Sequence, residues 1–298
     1  MQIIIPFDKN FVTYVWFDAL LNYASALGWP EGEKYTKYWP DVHHTIGKDI
    51  LKTHGIYWPC MLKAAGLPVF KKLVVHGHWV VGGSKMSKSL GNVVDPLAMK
   101  DQLGVDALRY FLLRDMSFGE DSNFTEDLAI TRYNGDLANN FGNLCQRVTA
   151  FAIKNCDGKI PSEIKFQDED LLILNRYQDN LDNIRSKIDY QNINFYIDYI
   201  VNSLFEANKY FNDQEPWKKK DDKIRLNTIV YTTLEIVRKI SFLLYPIIPE
   251  SSLKALKIFD INETQIKLNT ISNNEYLTKG DNINKIDILF EKIEKNND

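Results

Sequence analysis

A polar loop in the first third of the chain reads Lys85-Met86-Ser87-Lys88-Ser89, and it is followed by Leu90-Gly91-Asn92-Val93-Val94-Asp95-Pro96. Lysine offers a mobile positive charge with three N–H donors, and serine hydroxyls and backbone N–H groups add contacts to phosphate oxygens. Such groups are most effective where charge builds on a leaving pyrophosphate. A bare Lys-x-x-Lys pattern is better explained as a solvated surface loop, but the full pentapeptide with its flank favours a polyphosphate-binding loop.

Strand-like and helix-like patterns alternate on both sides of this loop. Aromatic and β-branched runs predict strands at residues 11–17, 42–46 and 72–81. Cap and stop signals predict helices at 19–27 and 47–65, and a third that starts at Asp95-Pro96, where proline has no N–H to lose. This alternation predicts an α/β fold with a parallel sheet.

Long helical patterns replace this alternation after about residue 117. One helix is predicted from Thr125 to Asn155, and apolar residues recur at helical spacing in 174–188, 193–204 and 230–244. Several helices with short connections predict a bundle. We therefore predict domains at 1–117 and 118–260, followed by a poorly ordered tail at 261–298 that ends in a short helix or strand docked on the body.

Composition and charge narrow the class of protein. The 298 residues suffice for two domains, and 36 basic against 39 acidic side chains give no overall attraction to nucleic acid. The run Lys218-Lys219-Lys220 is a candidate for a local RNA-binding patch, but it is equally well explained as a solvated helix start. The three cysteines, Cys60, Cys145 and Cys156, form no C-x-x-C pair, so we predict neither a zinc site nor a disulfide framework. Such sparse cysteines predict a protein of the reducing cytoplasm. No signal peptide or membrane-length apolar run is present.

The pentapeptide is identical to the signature loop of the class I aminoacyl-tRNA synthetases. Three further stretches resemble the methionine–tRNA ligases within that class, and the resemblance covers roughly residues 3–260. It implies the C-terminal part of a Rossmann-like catalytic domain followed by a helical-bundle anticodon-binding domain. The three stretches are Tyr14-Val15-Trp16-Phe17-Asp18-Ala19-Leu20-Leu21-Asn22-Tyr23, Ile46-Gly47-Lys48-Asp49-Ile50-Leu51-Lys52-Thr53-His54 with its continuation to Pro68, and His76-Gly77-His78-Trp79.

The resemblance implies an ATP site with accompanying Mg²⁺. Lys88 would stabilise the departing pyrophosphate, with Lys85 and Ser87 as further catalytic residues of the loop. Asp49 begins the second helix, where it would contact ATP or order the neighbouring pocket.

The resemblance also implies a methionine pocket with aromatic walls. Its residues would be Trp16, Ala19, Tyr23, Ile50 and His54. A thioether is polarizable and makes favourable contacts with ring edges. Taken singly, Trp16 and His54 are better explained as core residues, whereas the whole set in family order favours the pocket.

An anticodon-reading site is implied in the bundle. Asn143 and Arg147 lie four residues apart on one helix face, and Pro216-Trp217 follows the end of another helix. An exposed tryptophan is a stacking platform for an unpaired base. The alternatives are helix packing for Trp217 and a surface salt bridge for Arg147.

The reading of function that follows is a methionine–tRNA ligase acting on methionine, ATP and tRNA(Met). The first class I signature, of the His-Ile-Gly-His type, does not occur in the sequence. We therefore expect the chain to begin about halfway through the catalytic domain, to need an N-terminal half that is separately encoded or lost, and to be inactive alone. A non-catalytic anticodon-binding fragment and another class I ligase, for cysteine or valine, are the alternatives.

Overall fold

The computed structural model describes residues 4–86 and 91–294. The chain divides into two compact units. Unit 1 comprises residues up to His78 together with Phe118–Asp121, and unit 2 comprises Trp79–Ser117 and the chain from Ser122 onward. The three-part domain division predicted from the sequence remains a prediction.

Unit 1 contains a parallel strand pair and an antiparallel hairpin. Its strands are β1 (Ile4–Ile5), β2 (Asp8–Val12), β3 (His43–Gly47) and β4 (Lys72–His76), with β1 paired to β2 and β3 parallel to β4. Its helices are α1 (Val15–Ala19), α2 (Asn22–Ser25), α3 (Glu33–Tyr38) and α4 (Trp58–Ala64). Between β3 and α4 lie a 3₁₀ turn, Lys48–Ile50, and a π-helix, Thr53–Tyr57.

The predicted strand at residues 11–17 is wrong in its second half. β2 ends at Val12, and α1 begins at Val15 after an extended Tyr14. A short apolar run does not distinguish a strand from a buried helix, and Asp18 in the first turn favours the helix through its dipole. The predicted helix at 19–27 is correspondingly divided between the end of α1 and α2.

The predicted strand at 72–81 is interrupted at Gly77. β4 ends at His76, and the next strand starts at Trp79 in unit 2. A Cβ atom at Gly77 would lie 1.8 Å from the carbonyl oxygen of Glu120. Only glycine therefore allows residues 118–121 to approach this turn. Asp121 fixes the approach by accepting hydrogen bonds from the His78 N–H (2.7 Å) and Lys48 Nζ (2.6 Å).

Unit 1 has its own hydrophobic core. Its fully buried side chains are Leu20, Ala24, Trp39, Trp58 and Leu62. The Trp39 Nε1–H donates to the Pro68 carbonyl at 2.9 Å, so the ring is buried without losing its polar partner.

Unit 2 is a helical bundle with a small sheet at one edge. In the sheet, β5 (Trp79–Val81) pairs antiparallel with β6 (Ser84–Lys85) and parallel with β7 (Ser122–Asn123). The helices are α5 (Pro96–Leu103), α6 (Val105–Arg114), α7 (Glu126–Arg132), α8 (Asn143–Asn155), α9 (Asp168–Asp179), α10 (Leu181–Asp189), α11 (Ile193–Asp213), α12 (Lys223–Leu244) and α13 (Pro249–Leu256).

Two of the helix starts predicted from the sequence, at Asp95 and Thr125, are confirmed. Asp95 accepts a hydrogen bond from the Leu97 N–H (2.9 Å), and Thr125 accepts one from the Leu128 N–H (3.1 Å). The helix predicted from Thr125 to Asn155 is confirmed as a helical run in which a π-helix, Tyr133–Gly142, joins α7 to α8. The apolar pattern at 174–188 spans two helices that meet at Asn180.

The segment after residue 260 differs from the expected poorly ordered tail. It forms 3₁₀ turns at Glu263–Gln265 and Leu268–Thr270. Isolated apolar side chains along it are buried in the unit 2 core, which a search for periodicity does not detect: Ile271, Leu277, Ile283 and Phe290. None of the helices in residues 4–86 and 91–294 combines the length and apolar character of a membrane span.

Candidate functional site

The predicted polyphosphate loop lies largely outside the described residues. Ser87, Lys88 and Ser89 lie outside the described residues, and so does the side chain of Lys85, whose backbone ends β6. Their roles remain predictions.

An aromatic cluster in unit 1 brings four of the predicted methionine-pocket residues together. The Trp16 and His54 rings meet edge to face at 5.4 Å, and the Tyr23 and His54 rings lie 5.8 Å apart. The His54 Nδ1 is 3.1 Å from the Ile50 carbonyl oxygen, which can only accept a hydrogen bond. Nδ1 therefore carries a proton, and Nε2 forms a hydrogen bond with the Tyr23 hydroxyl at 3.0 Å.

The cluster is half open to solvent. His54 is fully buried, whereas 37% of Tyr23 is exposed, and Trp16 is half-buried. Ala19 is exposed at the end of α1, one residue before buried Leu20. Trp16 also lines a hollow of about 380 Å³, whose lining does not include His54. The lining residues are Tyr14, Trp16, Phe17, Leu20, Tyr57, Cys60 and Met61.

Two cluster members were missed by the sequence analysis. The His44 ring lies 4.4 Å from that of Tyr23, and buried Trp58 donates its Nε1–H to His44 Nε2 at 3.1 Å. Burial, with a smaller effect of His54, lowers the pKa of His44 to about 4, so the ring is a neutral acceptor. His44 precedes buried Ile46 by two residues in β3, and residues two apart in a strand point to the same face. This spacing was the signal in the sequence that could have placed His44 inward.

Asp49 lies at the carboxyl end of the parallel strand pair. Its Oδ1 would be 2.8 Å from a Cβ built on Gly47, and His76 Cε1 would be 3.7 Å from the same point. Ligands of open α/β sheets bind at this edge, so the position suits the predicted ATP contact. Within residues 4–86 and 91–294, no group of three His, Cys, Asp or Glu side chains could hold a metal ion.

Unit 2 brings Arg147 and Trp217 to one aromatic ring. The Arg147 guanidinium lies 5.4 Å from the centre of the Phe211 ring, and the Phe211 and Trp217 rings are 6.2 Å apart. Arg147 Nη2 also donates to Asn212 Oδ1 at 2.7 Å. Phe211 and Asn212 were not predicted as site residues, although they lie only five and four residues before Pro216.

A strained turn holds Trp217 in this position. Glu215 follows the end of α11 with φ +44°, a left-handed conformation that glycine usually occupies at a helix end. Pro216 is buried, and 40% of Trp217 is exposed, so the indole presents a face to solvent. Asn143 is exposed one helical turn before Arg147. Lys218 pairs with Glu215 at 2.7 Å, so it stabilises the turn.

Comparison with known proteins gives a match for each half of the chain. Residues 2–149 match the family model "tRNA synthetases class I (M)", and residues 160–298 match "Anticodon binding domain of methionyl tRNA ligase". The methionine–tRNA ligase of Mycobacterium leprae is 41% identical over an aligned length of 275, which covers 90% of this chain and 51% of that protein. That of Rickettsia felis is 39% identical over an aligned length of 309, which covers 97% of this chain and 58% of that protein.

Solved structures give the same result. The methionyl-tRNA synthetase of Mycobacterium tuberculosis in complex with methionyl-adenylate superposes with a TM-score of 0.88 at 38% identity, over 96% of this chain and 57% of that one. Fold and sequence thus define the class as that of the class I aminoacyl-tRNA synthetases. The chain belongs to the methionine–tRNA ligase family.

The predicted family and fold class are therefore confirmed, and the alternative of a cysteine or valine ligase is wrong. The chain spans a little over half the length of the curated relatives it matches.

Proposed function

We propose that the chain takes part in ATP-dependent activation of methionine and in its transfer to tRNA(Met). The observation that carries this proposal is the aromatic cluster of Trp16, Tyr23 and His54. Both ring nitrogens of His54 are engaged within the protein, so the cluster offers a ligand ring faces and edges. A thioether suits such a surface, and the matching structure from Mycobacterium tuberculosis holds methionyl-adenylate.

The proposed reaction has two steps. The methionine carboxylate attacks the α-phosphate of ATP, forming the adenylate and releasing pyrophosphate. A ribose hydroxyl at the end of the tRNA then attacks the activated carbonyl and releases AMP. Lys85, Ser87 and Lys88 would stabilise the phosphates, and Asp49 would contact ATP. Mg²⁺ would be held mainly by the phosphates, as is usual for this ion, because the described residues offer no carboxylate cluster.

The RNA step would use the face around Phe211. A base would stack on Trp217, and Arg147 and Asn143 would read base edges, with Pro216 fixing the turn. We further propose that the reaction takes place in the cytoplasm, since all three cysteines are free, and that a separate N-terminal half supplies the remainder of the catalytic domain.

Methionine-dependent ATP–pyrophosphate exchange tests the catalytic proposal. The purified chain would be assayed alone and mixed with the first half of the Mycobacterium tuberculosis relative. We expect exchange only on mixing, and we expect Lys88→Ala to lower it by about 10²-fold, while exposed Lys100→Ala leaves it unchanged. Exchange by the chain alone would show that the site needs no second half. Exchange unaffected by Lys88→Ala would remove the loop from the site.

A non-catalytic RNA-binding role is the second candidate, because Arg147, Phe211 and Trp217 all lie within unit 2. Binding of an RNA stem-loop that carries the methionine anticodon tests it. Trp217→Ala should weaken binding by about 10- to 100-fold, as loss of one base stack does. Tyr190→Ala, whose ring is 82% exposed, is the aromatic control. Binding without exchange in any mixture would favour this role, and equal affinity for Trp217→Ala would remove the indole from the site.

A further inference from the structure

A groove with amide side chains on one wall runs beside the start of α8. Asn139, Asn143 and Gln146 supply the amides, and they lie at successive turns of one helical face. The groove has a volume of about 620 Å³, within the range of small-ligand sites. Asn143, which lines the groove, stands one helical turn before Arg147, so the groove lies next to the Arg147 contact with Phe211.

The opposite wall is the C-terminal segment, residues 285–292. Ile288, Glu291 and Lys292 line the groove from this side. More than half of Ile288 is exposed, so an apolar side chain stands at the rim. The wall thus offers a surface on which the face of a base can rest, opposite amides that both donate and accept hydrogen bonds.

The C-terminal segment is held firmly on the π-helix. Asn134 makes two hydrogen bonds to the Ile293 backbone, donating to its carbonyl at 2.8 Å and accepting from its N–H at 3.0 Å. The Phe290 ring meets Tyr133 edge to face at 5.8 Å. The Phe290 ring also packs over Gly142, where a built Cβ would be in van der Waals contact with it at 3.5 Å. The groove is therefore built before any ligand arrives.

A basic hollow lies on the other side of the same segment. Lys254, Lys257 and Lys285 line it together with Asp287, which leaves an excess of positive charge. Ile288 borders both the groove and this hollow. A base in the groove would therefore have these lysines on the far side of the same ridge.

We propose that the segment 285–292 is the ridge of a second RNA-contact site, which takes one unpaired nucleotide of the anticodon-bearing loop. The base lies against Ile288 with its edge read by Asn139 and Gln146, and its phosphate faces Lys254 and Lys257. This inference rests on the proposed RNA-binding function. Amides read base edges in unpaired RNA, and lysine is a point charge suited to phosphate.

The test measures binding of the same stem-loop to the full chain by fluorescence anisotropy at several salt concentrations. Gln146→Ala and Asn139→Ala should each weaken binding by about 3- to 10-fold, the effect of one hydrogen bond. Gln178→Ala, an exposed amide on α9, is the matched control and should have no effect. The double variant Lys254→Ala with Lys257→Ala should reduce the slope of log affinity against log salt by about 0.7, the value for one phosphate contact, whereas Lys267→Ala should not.

The outcomes separate this inference from the function on which it rests. If Trp217→Ala weakens binding and the groove variants do not, the second site is refuted and anticodon recognition stands. If Gln178→Ala weakens binding as much as Gln146→Ala, or if the lysine pair leaves the salt slope unchanged, the site is refuted as well. If the chain shows no anticodon-dependent binding, both proposals fail. Equal melting temperatures for all variants ensure that affinity, and not folding, is compared.

Discussion

At the scale of single residues, the close approach of two backbone segments determines the local fold more than side-chain chemistry does. Gly77 is the clearest case, because the carbonyl of Glu120 occupies the place where a side chain would begin. The His-Gly-His stretch was useful for recognising the family, but nothing local in the sequence shows which distant segment crosses there.

The replacement Gly77→Ala should therefore destabilise unit 1. A methyl group at 1.8 Å from the Glu120 oxygen cannot be accommodated without moving residues 118–121, and overpacking of this kind costs about 1–3 kcal/mol. Thermal unfolding of the purified chain measures the effect.

Gly135→Ala is the control. Gly135 lies in the π-helix with no atom within 4 Å of a built Cβ and without a positive φ. Alanine there should be stabilising by about 0.5–1 kcal/mol, since it reduces the freedom of the unfolded chain. An equal loss of stability in both variants would mean that the Glu120 contact does not matter.

Site residues were predictable when a resemblance supplied them together, and less so when their partners were distant. The set of Trp16, Tyr23 and His54 was predicted and is brought together. His44 was not predicted as a member of this set, because its partner Trp58 lies 14 residues away on another element. Phe211 is likewise the ring that joins two predicted residues, but only the fold places it between them.

At the scale of elements, both π-helices accompany the candidate sites. Thr53–Tyr57 carries His54, and Tyr133–Gly142 carries Asn139 and ends directly before Asn143. π-Helices are uncommon and occur often at functional sites. The apolar pattern with a period of 3.6 predicted helix in both regions but could not show the π-helices. A wider π-turn changes the direction of a few side chains, whereas the apolar stripe along the whole helix is kept.

The helix α12 crosses the core of unit 2 with three charged side chains that are fully buried: Glu235, Arg238 and Lys239. Glu235 and Arg238 pair at 2.7 Å. Lys239 donates to the Leu174 carbonyl and to Asn274 Oδ1, and burial, then the neighbouring Arg238, lowers its pKa to about 7. These three side chains bind residues 273–277 to the bundle, and they make the stability of the fold depend on pH.

The free energy of unfolding should rise between pH 7 and pH 8.5. The unfolded lysine keeps its proton up to about pH 10.5, whereas the folded one loses it near pH 7, so the unfolded state binds more protons in this range. The slope contributed by Lys239 approaches about 1.4 kcal/mol per pH unit. Urea unfolding at several pH values measures it.

Lys239→Met should remove this contribution while keeping the volume of the side chain, and exposed Lys267→Met should retain it. A slope that is the same in the chain and in Lys239→Met would show that Lys239 stays charged in the fold.

At the scale of the whole molecule, the two units have separate hydrophobic cores. One is the cluster around Trp58 and Leu62, and the other is the bundle core that includes Leu234. The sequence predicted the two fold types correctly, since periodicity changes from strand-like to helical along the chain. It placed the change near residue 117, whereas the compact units divide after His78. Residues 118–121 return to unit 1 through contacts at Gly77, and the periodicity contains no trace of that return.

We expect two unfolding transitions in calorimetry. Leu62→Ala should lower the midpoint of one transition, and Leu234→Ala should lower that of the other. Each substitution should cost its unit about 2–5 kcal/mol of stability, because both side chains are fully buried. Exposed Leu172→Ala is the control for the size of the substitution. A single transition that both core variants shift would show that the units unfold together.

The pair of hydrogen bonds between Asn134 and Ile293 has a practical consequence. Only five residues follow Ile293 in the sequence, so a purification handle or fluorescent reporter fused after Asp298 would start within about 18 Å of Ile293, whatever path those residues take. A polyhistidine handle there would bring its own imidazoles to the surface on which RNA affinity is measured. Recombinant protein intended for binding work is therefore better labelled at its other end, or cleaved free of any C-terminal addition before titration.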